Sequence, residues 1–241
     1  HARAPDGSIV KAATEEAIHA EIFLRTFWIS LLVTVACLVL AYPLAYLLAN
    51  LPAKTANLLM ILVLLPFWTS LLVRTTAWIV LLQQHGVVNE FLLWLGVIDK
   101  PLQLIFNRTG VVIAMTHILL PFMVLPLYSV MKGILPVYNR ASAMLGANMW
   151  TTFWRVYFPQ TLPDIGAGGL LVFIMALGYY ITPALVGGAQ DQMASYFIAQ
   201  HVNLTLNWGM AAALATLLLL ATLVLYAVYD RMVGINNMKL G

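Results

Sequence analysis

A succession of apolar runs, each roughly twenty residues long and separated by stretches that hold nearly all the charge, governs what this chain can fold into. At 1.5 Å per residue, about 20 helical residues cross a hydrocarbon core about 30 Å thick. Of 241 residues, 62% are hydrophobic and only 9% charged, against roughly 25% charged in a soluble domain. The mean hydropathy of +0.91 points the same way, so a soluble globular fold is excluded. The runs do not alternate apolar and polar positions, which excludes a transmembrane β-barrel. Windows bounded by charge or turn residues fall at 27–49, 57–82, 110–131, 166–186 and 210–229. The expected fold is therefore an all-α membrane protein with five spans.

Residues 1–26 are polar and acid-containing, with no apolar core of a signal peptide. They begin at His1 rather than at methionine and are read as an external segment following a further span ahead of residue 1. No internal repeat or low-complexity linker divides residues 27–230, which form one membrane domain followed by a tail, 231–241. The net charge of +3 is scattered without a polybasic block, so the surroundings are a lipid bilayer and not nucleic acid. The single cysteine, Cys37, lies in an apolar run and offers neither an intrachain disulfide nor a metal set. Lys54, Lys132, Arg140, Arg155, Arg231 and Lys239 fall on one side of the spans, and Lys54, Lys132 and Arg231 hug span ends. That side is read as cytoplasmic, which puts the tail 231–241 there also. Residues 87–95 and 191–208, too short to span, are expected on the outside as interfacial helices, either lipid-facing caps or walls of an outer mouth.

The informative stretch is the long cytoplasmic connection 132–163. Ala141, Ser142, Ala143 and Leu145 suit a helix and Gly146 can end or bend it. Residues 150–157 suit a second short helix, broken at Pro159. With Trp150, Phe153 and Trp154, this makes a protrusion fit for the groove of a soluble partner. Its spacing resembles the cytoplasmic "EAA" loop of binding-protein-dependent ABC importer permeases, which reads Glu-Ala-Ala, three residues, Gly, nine residues, Ile-x-Leu-Pro. Arg140, Ala141 and Ser142 occupy the first three positions, Gly146 the glycine, Val156 and Phe158 the two aliphatic positions and Pro159 the proline. Arg140 thus stands where the family has glutamate, and Ser142 where it has the second alanine.

The stretches 65–78 (Leu-Pro-Phe-Trp-Thr-Ser-Leu-Leu-Val-Arg-Thr-Thr-Ala-Trp) and 180–188 (Tyr-Ile-Thr-Pro-Ala-Leu-Val-Gly-Gly) are similar to the spermidine/putrescine-type branch of that family, and the similarity covers most of residues 25–234. The resemblance implies a type I importer fold of about six spans in a bacterial inner membrane. It further implies a second permease subunit, different or identical, two ATP-binding subunits and an external solute-binding protein. The coupling loop would comprise Arg140, Ala141, Ser142, Leu145, Gly146, Ala147, Trp150, Phe153 and Pro159. ATP and magnesium would be held by the partner ATPases, since no lysine here follows a glycine and the phosphate-binding loop signature is absent; no cofactor is expected in this chain.

Arg74 and His117 are the ionisable residues well inside the expected spans. A buried arginine costs from roughly 2.5 kcal/mol upward and must face protein or water. Arg74 either lines the pathway or ties helix ends together, and His117 either meets substrate or bonds a neighbouring helix. Gly178 to Pro183 interrupts the fourth span and makes Tyr180 and Thr182, with Trp78, candidates for the pathway, a plain proline kink being the other reading. Gly166, Gly168 and Gly169 are read as sites of close helix approach.

No acid falls inside the expected spans to meet a polyamine, so the substrate is a polyamine held with help from aromatics or a partner, an amino-acid derivative, or a phosphonate. An ATP-independent secondary transporter or channel would call for paired repeats, which are absent. No motif of an intramembrane enzyme occurs.

Overall fold

The computed structural model describes residues 2–3, 9–10 and 18–233. Ala2–Arg3 (β1) pairs antiparallel with Ile9–Val10 (β2); every other element among the described residues is helical. The first long helix, α1 (Ile18–Asn50), begins well before residue 27, its early turns carrying an Arg25–Glu21 pair at 3.0 Å one turn apart. Along α1, Val33, Cys37, Ala41 and Ala45 recur every fourth position and are fully buried. These side chains are small, so the next long helix, α5 (Arg108–Gly133), lies close alongside. Cys37 Sγ donates to Thr116 O at 3.5 Å and Lys132 Nζ to Ala49 O at 3.2 Å, so the two helices run parallel. The start of α5 is set by Asn107, whose side chain accepts the Gly110 N–H at 2.9 Å.

Residues 57–82 do not form the single straight span expected. They divide into α2 (Ala53–Leu64), a 3₁₀ turn (Leu65–Trp68) and α3 (Leu71–Leu81), with a bend of 100° between the two halves. The cause is local. Pro66 has no N–H to continue the helical ladder, and Thr69 folds its own N–H and hydroxyl back onto Pro66 O, at 3.2 and 2.8 Å. Ser70 then restarts the chain in an extended conformation. At 1.5 Å per residue, α2 by itself rises about 18 Å, only part of the way across a bilayer.

The fourth span also differs from expectation. It starts at Met149, not near residue 166, and runs unbroken to Leu177 through α7 (Met149–Thr152), a π turn (Phe153–Tyr157) and α8 (Phe158–Leu177). Pro159 therefore does not end a separate short helix. The π turn widens the ladder so that Phe158 N–H reaches Phe153 O, which accommodates the donor that Pro159 lacks, and Gln160 Nε2 fills Val156 O at 2.6 Å. The longer helix brings Asp164 into a span, where no acid was expected. Gly168 lets α8 press on α5, since a Cβ there would lie 3.1 Å from Met123 Sδ.

After Leu177 the backbone breaks at Gly178–Tyr180 and resumes as α9 (Ile181–Val186). The carbonyl of Tyr179 freed by the break accepts the Ser195 hydroxyl. The two short helices foreseen between spans are present as α4 (Val87–Trp94), followed by a loop clamped by the buried Asn89 amide at Gln83 O and Leu102, and α10 (Ala194–Asn203), whose first N–H bonds Thr26 of α1 at 2.9 Å. The last helix, α11 (Trp208–Val233), leans on α10 and α8, with the Tyr229 ring against Gly166 and its hydroxyl donating to Pro163 O at 3.3 Å. Among the described residues, four helices are long and apolar enough to cross a membrane, and the bent α2–α3 pair counted as one makes five.

Candidate functional site

Two places collect the polar and special residues. The first lies beyond the α1 and α5 ends that carry Ala49 and Lys132. Here α6 (Pro136–Met144) meets α7 at an elbow made by Gly146, whose φ is +80°. Gly146 N–H bonds Ala143 O and Ala147 N–H bonds Ser142 O, both at 3.0 Å, the paired closure that ends a helix with a left-handed residue. Ser142, only 7% exposed, braces the elbow from inside. Its hydroxyl donates to Asn139 O at 2.9 Å and accepts the hydroxyl of Thr152 at 2.8 Å, joining α6 to α7. Serine thus spans a gap that an alanine, with no hydroxyl, leaves unbridged.

The outer side of the elbow is apolar and bare: Met144 and Leu145 are each 88% exposed, Met149 82% and Trp150 71%. Arg140 and Ala141 of α6 and, more than two turns along from Trp150, Pro159 are also exposed, while Ala147 is half-buried. Phe153 does not join this tip. It turns inward against Tyr46 and Tyr42 of α1, with ring centroids 6.0 and 6.2 Å apart, and stacks on Tyr157. The aromatics therefore divide the work, Trp150 and Trp154 facing out and Phe153 anchoring the elbow to α1. A cavity of about 660 Å³ opens between them, walled by Tyr46, Asn139, Ala143, Met149, Trp150 and Tyr157.

The second place is at the two backbone breaks. Arg74, Thr75 and Trp78 on α3 face His117 of α5 and the α8–α9 junction. Trp78 Nε1 donates to His117 Nδ1 at 3.1 Å, which leaves the neutral ring's proton on Nε2. Thr75 gives its proton to Leu71 O at 2.9 Å and so accepts the Thr182 hydroxyl at 3.2 Å in a fully buried contact. Arg74 stands close enough for its charge to act on both His117 and Tyr179, while its own Nε is shut off from solvent and has no hydrogen-bond partner. The structure thus brings Arg74, Trp78, His117 and Thr182 together. It leaves out Tyr180, which is 40% exposed and turns toward Tyr196 of α10, 6.2 Å between centroids. Thr75 and Tyr179, which sequence reasoning passed over, take their place. The signal available for Tyr179 was its position beside the helix-ending Gly178.

Comparison with known families is decisive for the class. Residues 24–239 match the family described as "Binding-protein-dependent transport system inner membrane component". The chain belongs to that family. As an inner-membrane permease, it is 39% identical over 225 residues to the "Spermidine/putrescine transport system permease protein PotB" of Escherichia coli (strain K12), covering 93% of this chain and 82% of that protein. It is 33% identical over 222 residues to the PotB of Haemophilus influenzae, covering 92% and 78%. It is 34% identical over 228 residues to the "Inner membrane ABC transporter permease protein YdcU" of Escherichia coli (strain K12), covering 89% and 72%. In fold the permease matches a chain of the crystal structure of a bacterial alginate ABC transporter in complex with alginate pentasaccharide-bound periplasmic protein. The TM-score is 0.70 at 18% identity, covering 92% of this chain and 80% of that one. That likeness establishes the type I importer architecture.

Proposed function

We propose that this permease is the membrane subunit of a polyamine importer, spermidine and putrescine being its substrates. The observation that carries the reading is the likeness to PotB over nearly the whole chain. The elbow at Gly146 is the coupling device and faces the cytoplasm. Its bare tip, Met144, Leu145, Met149 and Trp150, seats in an ATP-binding subunit, and the adjoining cavity receives a side chain of that subunit in return.

Because α7 is continuous with α8 through the π turn, a push on the elbow reaches the Gly178 break and α9 without a loose joint between. At that break the Thr182–Thr75 bond ties α9 to α3 and the Trp78–His117 bond ties α3 to α5, so movement of α9 rearranges the cluster that lines the pathway. Two ATP-binding subunits, each holding ATP and magnesium, supply the energy, and an external solute-binding protein delivers the substrate. This chain contributes pathway and lever, not hydrolysis.

Polyamine ammonium groups meet Trp78 and Tyr179 by cation–π attraction along the way. The test is ATP hydrolysis by the reconstituted complex against spermidine, putrescine, an amino-acid derivative and a phosphonate. Stimulation by the polyamines is expected, and stimulation by another solute instead overturns the substrate assignment.

A further inference from the structure

Arg74 presents an electrostatic problem that this chain does not solve. Its Nε is sealed from solvent and unpartnered, and the ion pairs among the described residues, Arg25–Glu21 and Arg108–Asp191, do not include it. The groups around it are Trp78, His117 with a proton on Nε2, and the Tyr179 hydroxyl, none of which is an anion. Nor do the helices around the two breaks supply an acid from a second copy: no aspartate or glutamate occurs in α2, α3, α5 or α9, and Asp164 of α8 lies about 21 Å along the helix from the Gly178 break.

Beside Arg74 the surface is equally unfinished. Thr69 and Ser70, where the backbone leaves the helix, are exposed, Trp68 is 90% exposed, and Leu72 and Val73 are more than half exposed. Non-helical backbone at membrane depth is not left to lipid, so this elbow is covered by protein or borders a protein-lined cavity. Arg74 is only part-buried, its Nε alone being sealed, so a subunit that covers this elbow takes the open end of the guanidinium out of water and must bring an acid to it.

We infer that Arg74 forms an ion pair, across the pathway, with a carboxylate of a second permease subunit that is not a copy of this chain and that covers the α2–α3 elbow. The inference rests on the pathway reading above and adds the partner's chemistry to it. It also accounts for a polycation passing an arginine. An incoming ammonium group competes with the guanidinium for the same carboxylate, so one cation is exchanged for another and no charge is left bare. Arg74 in this role closes the pathway when substrate is absent and yields when substrate arrives.

The experiment uses the full complex of both permeases, ATP-binding subunits and binding protein. Cysteine replaces Arg74 and, one at a time, each aspartate and glutamate in the spans of the second permease, and a short bifunctional maleimide is added. A cross-linked pair at one acidic position, with none at apolar positions one turn away, is expected, because the reagent bridges the space that the arginine and carboxylate side chains filled, whereas a direct disulfide needs Cα atoms within about 7 Å. No cross-link at any acid overturns the inference.

At the cross-linking position, Arg74→Glu alone should lower polyamine-stimulated ATP hydrolysis roughly tenfold, and the reverse exchange in the partner should restore it to within about threefold. No restoration in an assembled complex is equally fatal. Arg74→Gln should lower both KM and kcat, since the freed carboxylate holds substrate longer; a raised KM contradicts the exchange. Stimulation of the unmodified complex reports on the importer reading separately, and the cross-link requires no transport.

Discussion

Substitution at Gly146 separates the cost of the elbow's backbone from the cost of blocking its partner. The residue has φ +80°, and a Cβ built on it meets nothing within 4 Å. Any non-glycine residue therefore pays for the left-handed conformation, roughly 1–2 kcal/mol, and nothing for crowding within the chain. If that strain falls wholly on the coupling-competent elbow, Gly146→Ala lowers polyamine-stimulated ATP hydrolysis by about 5- to 30-fold. Asparagine tolerates this backbone region better, so Gly146→Asn falls between alanine and the unmodified protein. Gly146→Trp carries the same backbone strain but projects a large ring into the open space where the ATP-binding subunit seats. It should abolish stimulation while the permeases still assemble and insert. The assay is substrate-stimulated hydrolysis by purified complexes whose subunit ratio is checked by size-exclusion chromatography. Equal hydrolysis by the alanine and tryptophan variants would refute the reasoning, because it would mean that nothing docks over Gly146.

Ser142→Ala removes the hydroxyl bridge to Thr152 and restores the alanine of the family pattern. It should lower the stability of the complex by about 1 kcal/mol in thermal unfolding without abolishing hydrolysis, and loss of hydrolysis would contradict a purely bracing role. Thr75→Val and Thr182→Val, single and combined, should show a coupling energy of about 1 kcal/mol in the same unfolding assay, and strict additivity would mean the buried hydroxyl bond contributes nothing. Gly187→Ala would place a Cβ 2.6 Å from Pro183 O and 2.8 Å from Val111 Cγ2, and should cost roughly 1–3 kcal/mol; an unchanged unfolding midpoint would show that α9 yields freely there.

Much of the fold could be read from the chain because its signals are long and repeated. The window 110–131 lies within two residues of α5 at each end, since the charges of Arg108 and Lys132 bound the apolar run and the Asn107 cap starts the helix there. Where a span departs from its apolar window, the cause is a proline whose effect depends on its neighbours. Pro66 ends its helix because Thr69 turns back onto its carbonyl, whereas Pro159 does not, because a π turn ahead of it takes up the missing donor. Composition does not distinguish these two cases.

The coupling elbow was legible through spacing, Gly146 above all, but the inward turn of Phe153 depends on Tyr42 and Tyr46, more than a hundred residues away. In the same way, Tyr179 and Tyr180 are equivalent by position, and only the packing of α9 and α10 decides which ring lies near Arg74.

The most direct test of an ATP-driven polyamine importer is uptake of labelled spermidine into vesicles holding the reconstituted complex, with ATP on the coupling-elbow side and the binding protein on the other. Accumulation that requires both ATP and the binding protein is expected. Uptake that proceeds equally without ATP would contradict it, since the chain would then be a passive pathway and not the lever of a pump.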